Sequence, residues 1–298
     1  MTVVSQDIPP FLILHYMKGR QNYETATEGL NIMEYSFNPR RILSYTRRAV
    51  DDYNMIQDGD KIAIGLSGGK DSIALVCAMA NLRYFYPKKF ELEVITMDPG
   101  FYKAGFGNQE ETKKGFEALS DLCRQLDVNF TLFETDIAKI IFDIRKEKNP
   151  CSLCARMRRG ALHTHAKELS CNKIALGHHF DDAVETFMMN LFNEGRIGCF
   201  SPVTYLDRMD ITLLRPLVYT PEKDIKYFIN HSDLPVLHSP CPADKTSDRE
   251  SIKQLLRTLD KENKGIKYRI FGAMQRAGID GFKEGGEYKT PKDFEENI

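Results

Sequence analysis

The sequence predicts an α/β fold in which a parallel sheet is covered by helices on both faces. Apolar, strand-like segments alternate with amphipathic segments of helical length through the middle of the chain, and a glycine turn joins the first strand directly to a helix. Such alternation is typical of βαβ units. A length of 298 residues is enough for one large domain with appendages.

The predicted elements follow one another in a regular order. An amphipathic helix begins at Pro39 and has arginines along its polar side. Five strands are then predicted, at 61–66, 91–97, 129–134, 173–178 and 211–217. Helices are predicted between and after them, at 71–85, 108–126, 136–148, 155–170, 181–194 and from Pro221. A helical segment is predicted from Cys241 to about Ala277, and the polar tail after it is expected to be loose.

The turn after the first strand, Ser67–Ser72, has the sequence SGGKDS. Gly68 and Gly69 let the backbone bend and approach a ligand closely. The N-terminus of the helix that follows favours an anion, most often a phosphate. Two hydroxyls, several backbone N–H groups and the charge of Lys70 would hold phosphates there. The alternative interpretation is a glycine-containing turn that binds no ligand.

Two common phosphate-binding motifs do not fit this turn. A Walker A loop requires a glycine five positions before Gly69 and a Ser or Thr after the lysine, but Ile64 and Asp71 occupy those positions. A dinucleotide fingerprint requires Gly-x-Gly-x-x-Gly, and no glycine of this turn starts that pattern. The turn is therefore predicted to be a phosphate loop of another kind.

Further polar residues are predicted to share a crevice with this turn, because ligands of open α/β sheets bind at the carboxyl ends of the strands. Asp98 ends the second predicted strand, GHHFDD (Gly177–Asp182) ends the fourth, and Arg215 lies at the end of the fifth. Asp98 would accept hydrogen bonds from a ribose or an adenine amino group, or else would only form a turn.

The GHHFDD segment leaves several roles open. One of His178 and His179 would meet phosphate while the other packs against the structure. Asp181 and Asp182 would hold Mg²⁺, or would only cap the next helix at its positive end. The sequence does not decide between these interpretations.

The chain has seven cysteines, an odd number for a disulfide framework, and the cytosol would keep them reduced. Cys77 and Cys123 lie in apolar helical patterns and are expected in the core, whereas Cys171 and Cys199 are ambiguous. The others stand beside prolines, which stiffen a loop and expose its side chains. These candidates for chemistry, in NPCSLC and SPCPAD, are Cys151, Cys154 and Cys241.

Composition predicts a chain that neither crosses a membrane nor binds nucleic acid through bulk charge. No apolar run approaches the ~20 residues of a membrane span, and PPFLILHYM lacks the flanks of a signal peptide, so we expect a cytoplasmic protein. With a net charge of −1, any basic surface must be local. Candidates are ARMRRG (Arg156, Arg158 and Arg159) and the helix around Arg40–Arg48; solvated arginines without a partner are the alternative for both.

Several motifs together resemble one family. SGGKDS resembles the PP-loop of ATP pyrophosphatases. With PCSLCARMRRG, KIALGHHFDDAVETFMMNLF, LLRPL and HSPCPADK in this order, residues 40–260 resemble the tRNA 2-thiocytidine synthetase (TtcA-type) family. The resemblance implies an adenine-nucleotide α-hydrolase-like fold, Mg²⁺-dependent ATP use, tRNA thiolation and a 4Fe–4S cluster. It also implies a homodimer and a sulfur donor, either cysteine desulfurase or hydrosulfide.

The resemblance assigns roles to particular residues. It implies a cluster held by Cys151, Cys154 and Cys241, which with Asp71 are the predicted catalytic residues. It implies tRNA contacts from Arg156, Arg158 and Arg159. The predicted ATP-binding residues are Ser67, Gly68, Gly69, Lys70, Asp71, Ser72, Asp98, Gly177, His178 and Asp182.

The predicted reaction follows from the chemistry of a pyrimidine C2 carbonyl, a poor electrophile with a poor leaving oxygen. Attack of that oxygen on the α-phosphate of ATP would adenylate the base and release pyrophosphate, and sulfur would then displace AMP. Cytidine would become 2-thiocytidine. Three thiolates suit a cluster with one open iron, whereas zinc would need a fourth ligand, such as Cys171 or a histidine. A PP-loop ligase acting on a small molecule and a nucleotide-binding iron–sulfur redox sensor are the alternative functions.

The chain departs from the family pattern in two places. CPAD supplies only Cys241 where many members have a second Cys-x-x-Cys, and the first 38 residues match nothing recognisable. These departures leave the particular tRNA base open. Three parts are predicted: an extension with the basic helix, the PP-loop domain with its cysteine-pair insertion, and the last cysteine loop with helices and tail, at 1–49, 50–235 and 236–298.

Overall fold

The computed structural model describes residues 34–147, 150–243 and 248–283. Within these ranges six strands form one sheet in the order β3-β2-β1-β4-β6-β5. The strands are β1 (Asp60–Gly65), β2 (Phe90–Asp98), β3 (Asn129–Glu134), β4 (Lys173–Ala175), β5 (Val203–Leu206) and β6 (Ile211–Leu214). All neighbours are parallel except β5, which pairs antiparallel with β6. The predicted α/β class with a mostly parallel sheet is confirmed.

The helices that surround the sheet also follow the predicted order. They are α1 (Arg40–Asp52), α2 (Lys70–Phe85), α3 (Gln109–Gln125), α4 (Pro150–Glu168), α5 (Phe180–Asn193), α6 (Glu222–Asn230), α7 (Asp248–Glu262) and α8 (Ile266–Arg276). The last two confirm the helical C-terminal segment, interrupted before Gly265, whose φ is +81°. No helix in the described part of the chain is both long enough and apolar enough to cross a membrane.

Two hydrophobic cores lie on opposite faces of the sheet, because successive side chains of a strand point to opposite faces. In β1, Ile62 and Ile64 belong to the larger core, which contains α2, while Ala63 belongs to the smaller one under α4. Residues Ser72 to Leu82 of α2 are all buried. A helix that is apolar on every side is a central helix of the core, and its N-terminus is therefore held rigidly at the carboxyl end of β1.

The predicted elements differ from the structure most in three places, and β4 and β6 also end three residues earlier than predicted. Strand β5 is absent from the prediction because it is a short edge strand, on which Tyr205 is 58% exposed. The helix predicted over 136–148 is only a turn, Ile137–Lys139, that continues as a π-helix over Ile140–Ile144. The helix predicted from 155 begins instead at Pro150, because proline suits the first turn of a helix.

Strand order positions the site. From β1 the chain continues to β2 and β3 on one side of β1. The later strands β4, β6 and β5 lie on its other side, so the strand order reverses between β1 and β4. Ligands of open α/β sheets bind at such a switch point, outside the carboxyl ends of the strands. The predicted phosphate turn follows β1, and GHHFDD follows β4. The boundaries proposed at 49/50 and 235/236 remain predictions, and the tail after 283 lies outside the described residues.

Candidate functional site

The turn between β1 and α2 is shaped by its own hydroxyls. Gly68 has a φ of +82°, which side chains rarely tolerate. The Ser67 and Ser72 hydroxyls lie 3.1 Å apart, and Ser72 donates a hydrogen bond of 2.9 Å to the Gly69 carbonyl oxygen. The first N–H groups of α2 have no partner within the helix. The turn is thus preformed for an anion at the positive end of a helix.

The loop after β4 packs directly on this turn. A Cβ atom at Gly177 would lie 3.2 Å from the backbone carbon of Asp71 and 3.3 Å from the Ser72 nitrogen. Contacts that close to backbone atoms have little room to relax, so the glycine lets the two loops meet. This close approach joins the two sides of the crevice at the N-terminus of α2.

His179 stands between two carboxylates at this junction. Its Nε2 atom lies 3.6 Å from an oxygen of Asp71 and 3.5 Å from one of Asp182. The ring and Asp182 also form a capping box at the start of α5. His178 instead packs its ring on Phe200, with centroids 5.0 Å apart. The nucleotide role of His178 remains a prediction, and the histidine beside the phosphate turn is His179.

The paired aspartates at the start of α5 already have partners. Asp181 accepts 2.7 Å hydrogen bonds from the Glu222 backbone N–H and from Lys267 Nζ. Asp182 accepts one of 2.9 Å from Arg249 and one of 3.0 Å from the His179 N–H. Asp181 therefore caps the start of α6 rather than that of α5, whose capping box contains Asp182. Asp182 lies nearer the phosphate turn, and its metal or nucleotide role remains a prediction.

A cluster of lysines and one carboxylate adjoins the phosphate turn. Lys70 Nζ lies 2.8 Å from Asp71 and 3.3 Å from Glu222, which also contacts Lys253 and Lys226 at 3.1 Å each. Burial alone would raise the pKa of Glu222, but hydrogen bonds from Lys226 and Lys253 and the charge of Lys70 lower it to about 2. Sequence reasoning missed Glu222, since nothing in its local pattern indicates contact with Lys70.

The three proline-flanked cysteines lie near one another at the start of α4. Cys151 and Cys154 stand three residues apart in its first turn, hence on one face. Burial raises the pKa of the Cys154 thiol, Arg158 opposes that rise, and Cys241 and Cys151 add to it. The Cys151 sulfur lies 3.9 Å from the Ala243 carbonyl oxygen, 92 residues further on. Among the described residues no three Cys, His, Asp or Glu side chains have preassembled metal-binding geometry, so the thiols converge without a closed site.

The other cysteines are set apart from this group. Cys77 and Cys123 are buried in the larger core, as predicted. The Cys199 thiol donates to the Ala183 carbonyl oxygen at 3.3 Å, and burial raises its pKa to about 12. Cys171 is buried beside Lys61, at the amino ends of the strands, and it is therefore badly placed as a fourth ligand.

One segment without helix or strand, Leu234–Cys241, connects the third cysteine to the phosphate turn. The Leu237 N–H donates a 2.9 Å hydrogen bond to the Gly68 carbonyl oxygen. A Cβ at Gly68 would lie 2.8 Å from the Leu237 side chain, and one at Gly107 would lie 2.8 Å from Pro240. The segment thus crosses the turn in close contact and ends at Cys241, which brings thiol and phosphate chemistry into one crevice.

Comparison with known proteins agrees with this geometry. The sequence profile of the PP-loop domain matches residues 42–259, which include the phosphate turn and all three clustered cysteines. The chain belongs to the PP-loop family. Within the family, a tRNA-cytidine(32) 2-sulfurtransferase of Geobacter sulfurreducens is 38% identical over 247 residues, covering 81% of this chain and 92% of that protein. One of Aliivibrio fischeri is 37% identical over 248 residues, covering 81% and 77%. These relatives confirm the resemblance to the 2-thiocytidine synthetase family.

A solved structure shows the same fold. The U34-tRNA thiolase NcsA from Methanococcus maripaludis, with its [4Fe–4S] cluster, superposes with a TM-score of 0.60. The two chains are 24% identical, and the match covers 80% of each. The fold prediction of an adenine-nucleotide α-hydrolase-like protein is therefore confirmed.

Asp98 lies at the carboxyl end of β2 in the PP-loop domain and is buried. Its side chain accepts a 2.8 Å hydrogen bond from the Gly100 N–H, and burial raises its pKa. Gly100 has a φ of +74°, and a Cβ there would lie 2.6 Å from the Thr135 carbonyl oxygen. Asp98 thus stabilises a tight turn, and its contact with a nucleotide remains a prediction.

The two arginine groups of the PP-loop protein differ in their partners. Arg156 and Arg159 are exposed on α4 directly after the cysteine pair, and neither they nor Arg158 form an ion pair with another described residue. In α1, by contrast, Arg47 and Arg48 pair with Asp51 and Asp52 at 3.6 and 3.5 Å. Arg47 and Arg48 are therefore bound within the protein, whereas the α4 arginines keep their charge for a partner.

Glu185 of α5 predicts a pH dependence of stability for the PP-loop domain. It is 2% exposed, its Oε1 atom has no hydrogen-bond partner, and burial raises its pKa to about 7. The pKa of Glu185 is higher in the folded protein than the value near 4.5 of the unfolded chain. The stability that its protonation contributes is therefore complete below pH 4.5 and is lost as the pH rises through 7. The loss should reach about 3 kcal/mol.

Urea unfolding of the wild type, Glu185→Gln and Glu117→Gln between pH 5 and pH 8 checks this. Glu185→Gln should unfold at a higher urea concentration than the wild type at pH 8. Its free energy of unfolding should also change much less between pH 5 and pH 8 than that of the wild type. Glu117→Gln, on the exposed side of α3, should keep the slope. An unchanged slope in Glu185→Gln would contradict the assignment.

Proposed function

We propose that this chain thiolates tRNA, converting the C2 carbonyl of a cytidine to a thiocarbonyl with ATP as the activating agent. The observation that carries the proposal is the Leu234–Cys241 segment, which ties the phosphate turn at Gly68 to the clustered cysteines. The relatives named tRNA-cytidine(32) 2-sulfurtransferase support the same reaction and cytidine as the target.

The phosphate turn would hold the leaving group of the first step. The N–H groups at the start of α2 and the two serine hydroxyls would bind the β- and γ-phosphates of ATP, where charge develops as pyrophosphate departs. Lys70 would exchange part of its contact with Asp71 and Glu222 for the phosphates. Asp71 and Asp182, on either side of His179, fit the carboxylate ligands that Mg²⁺ takes alongside phosphates.

The three cysteines fit an iron–sulfur cluster by number and chemistry. Thiolates are the ligands that such clusters require. Cys151 and Cys241 are near enough to Cys154 to raise the pKa of its thiol, and Cys171 and Cys199 lie apart from them. A 4Fe–4S cluster held by these three cysteines would have one iron free to carry sulfur to the activated base. The cysteines themselves would fix that sulfur beside the phosphate turn.

Several partners of the reaction stay proposals. The sulfur would come from a cysteine desulfurase or from hydrosulfide, the protein would act in the cytoplasm, and it would work as a homodimer. The exposed Arg156 and Arg159, together with the half-buried Arg158, would bind tRNA phosphates near the chemistry. Modification would require the target base to be splayed out, which a loop allows more easily than a helix.

The arginine group predicts a salt-dependent affinity for tRNA. In the variant Arg156→Gln/Arg159→Gln, tRNA binding should weaken about tenfold, and the slope of log affinity against log salt should fall by about two, because each phosphate contact releases counterions. Filter binding over a range of salt concentrations measures both quantities.

A matched control distinguishes this group from surface charge in general. Arg47→Gln/Arg48→Gln removes the same charge from α1, where both arginines pair with aspartates. That variant should bind tRNA nearly as the wild type does. Equal losses in both variants would mean that only net charge matters, and no loss in the α4 variant would leave its arginines a solvated face.

Product analysis tests the proposed function directly. Anaerobically purified protein would be incubated with unmodified tRNA, Mg²⁺-ATP and sulfide, the nucleotides separated by chromatography, and the tRNA digested for mass spectrometry. AMP, pyrophosphate and a thiolated cytidine are the expected products. Release of ADP and phosphate would overturn the proposal. Release of pyrophosphate that requires a small acid and ammonia instead of tRNA would also overturn it. A protein that binds nucleotide but modifies nothing would instead be a sensor.

A further inference from the structure

Arg215 is a buried cation without a counter-ion. It follows β6 at the carboxyl edge of the sheet and is only 8% exposed. No carboxylate of the described residues lies within ion-pair distance of it, and the nearby ionisable groups are Cys199, Arg159 and His178. Burial lowers its pKa to about 10, so it keeps its charge at neutral pH. A charge buried without a partner is costly.

The guanidinium is bound within the protein along one edge alone. Nη1 donates to the Ser201 carbonyl oxygen and, at 3.2 Å, to the Thr204 hydroxyl. Nε is fully buried without a partner, and Nη2 has no hydrogen bond among the described residues. Nε–H and Nη2–H are parallel and form the fork that fits two oxygens of a phosphate or a carboxylate. The free edge is thus the one suited to an anion.

The surroundings of this edge are aromatic and cationic. Phe200 lies 4.8 Å from the guanidinium carbon, and His178 packs on the same ring. The Nδ1 atom of His178 is buried and has no hydrogen-bond partner in the described residues. Arg159 of α4 is close enough to lower the pKa of Arg215. Two unsatisfied buried groups and a second cation therefore surround one place.

Position along the sheet distinguishes this place from the phosphate turn. The turn follows β1, and β4 lies between β1 and β6, so the two places are separated by two strand spacings, roughly 10 Å. The turn already supplies donors for the β- and γ-phosphates. Arg215 is instead near enough to Arg159, one of the exposed arginines proposed to contact tRNA, for the two charges to repel each other.

We infer that the Nε/Nη2 edge of Arg215 binds a backbone phosphate of the RNA strand beside the nucleotide whose base enters the crevice. This subsite rests on the proposed function, since it assumes an RNA substrate. The exposed arginines of α4 would bind phosphates outside the crevice, and Arg215 would fix the next phosphate at its edge. The bidentate contact would set the register of the strand.

Two substitutions of Arg215 test the inference with the full-length protein. Arg215→Gln should weaken binding of an unmodified tRNA transcript at least tenfold and leave ATP affinity unchanged. Arg215→Lys keeps the charge but lacks the fork, so it should recover only part of the affinity. Arg83→Gln, which removes an arginine paired with Asp127 on another surface, should bind as the wild type does. Thermal unfolding checks that each variant is folded. If Arg215→Gln does not fold, the tRNA affinity of Arg215→Lys decides the test.

A modified RNA makes the test specific to one phosphate. A stem-loop with a neutral methylphosphonate next to the target cytidine should bind the wild type about tenfold more weakly than the normal stem-loop does. The same modified stem-loop should bind Arg215→Lys and Arg215→Gln only slightly more weakly than it binds the wild type. The inference would be overturned if the methylphosphonate and the Arg215 substitution weakened binding additively when combined. Unchanged tRNA affinity in a folded Arg215 variant would also overturn it. Loss of ATP affinity instead would assign the edge to the nucleotide and overturn the RNA assignment.

These outcomes are separable from those of the proposed function. RNA and ATP affinities are measured without turnover, so they remain readable if the wild type forms no thiolated nucleoside. A wild type that thiolates tRNA while Arg215→Gln binds normally would refute only the subsite. A wild type that binds tRNA through Arg215 but forms no thiolated base would refute only the reaction.

Discussion

Cys241→Ala should abolish tRNA thiolation while leaving ATP binding close to that of the wild type. Cys241 is the thiol that the Leu234–Cys241 segment brings to the cysteine pair, and a three-thiolate site loses a ligand that nothing nearby replaces. The rate should fall at least about a thousandfold, or ~4 kcal/mol in the barrier. Mass spectrometry of digested tRNA measures the product, and calorimetry measures ATP affinity.

Iron content gives this prediction a second readout. Protein purified without oxygen should be brown and contain about four irons, and Cys241→Ala, Cys151→Ala or Cys154→Ala should each lose most of that iron. Cys171→Ala and Cys199→Ala should retain both iron and activity, because these thiols donate to backbone carbonyls away from the group. Activity that survives Cys241→Ala would remove that residue from the site, and a colourless protein with stoichiometric zinc would replace the cluster by a closed metal site.

Gly68→Ala should lower the rate of pyrophosphate release at least about a hundredfold, or ~3 kcal/mol in kcat/KM. Two costs combine. The φ of +82° disfavours any side chain by about 1 kcal/mol. The new methyl group would also lie 2.8 to 2.9 Å from Cβ, Cγ and Cδ1 of Leu237, so the crossing segment must shift away from the turn.

Gly59→Ala is the matched control for this substitution. Gly59 has a φ of +81°, the same strain, but an added Cβ would meet no atom within 4 Å. Its effect should be confined to about 1 kcal/mol of stability, with normal pyrophosphate release at a temperature where both variants are folded. If both variants release pyrophosphate as the wild type does, the contact between Gly68 and Leu237 has no role in nucleotide use.

Local patterns in the sequence were sufficient to predict most of the fold and the phosphate turn. The turn is contiguous, and its glycines and hydroxyls act on their own backbone. The same is true of α2, whose uninterrupted apolar run matches a central helix. The role of the cysteine pair stays a prediction, whereas the proline beside it, which the sequence places in a loop, begins α4.

What the sequence could not predict depends on contacts between distant residues. Lys70 and Glu222 meet only because α6 packs beside the start of α2. The choice between His178 and His179 depends on a one-residue change of direction after β4, which no composition rule determines. The short strand β5 depends on pairing with β6 rather than on its own propensity.

The hydrogen bond between Leu237 and Gly68 has a consequence for the order in which the protein is assembled. It joins the turn after the first strand to a segment that follows the last one, and the Cys151 contact with Ala243 spans 92 residues. Contacts of such long range close late, since their loop entropy is repaid only once the core exists. During synthesis the strands and α2 can therefore form while the crevice stays incomplete. We expect the chain to acquire nucleotide turnover and metal uptake together, only after residue 243 has left the ribosome.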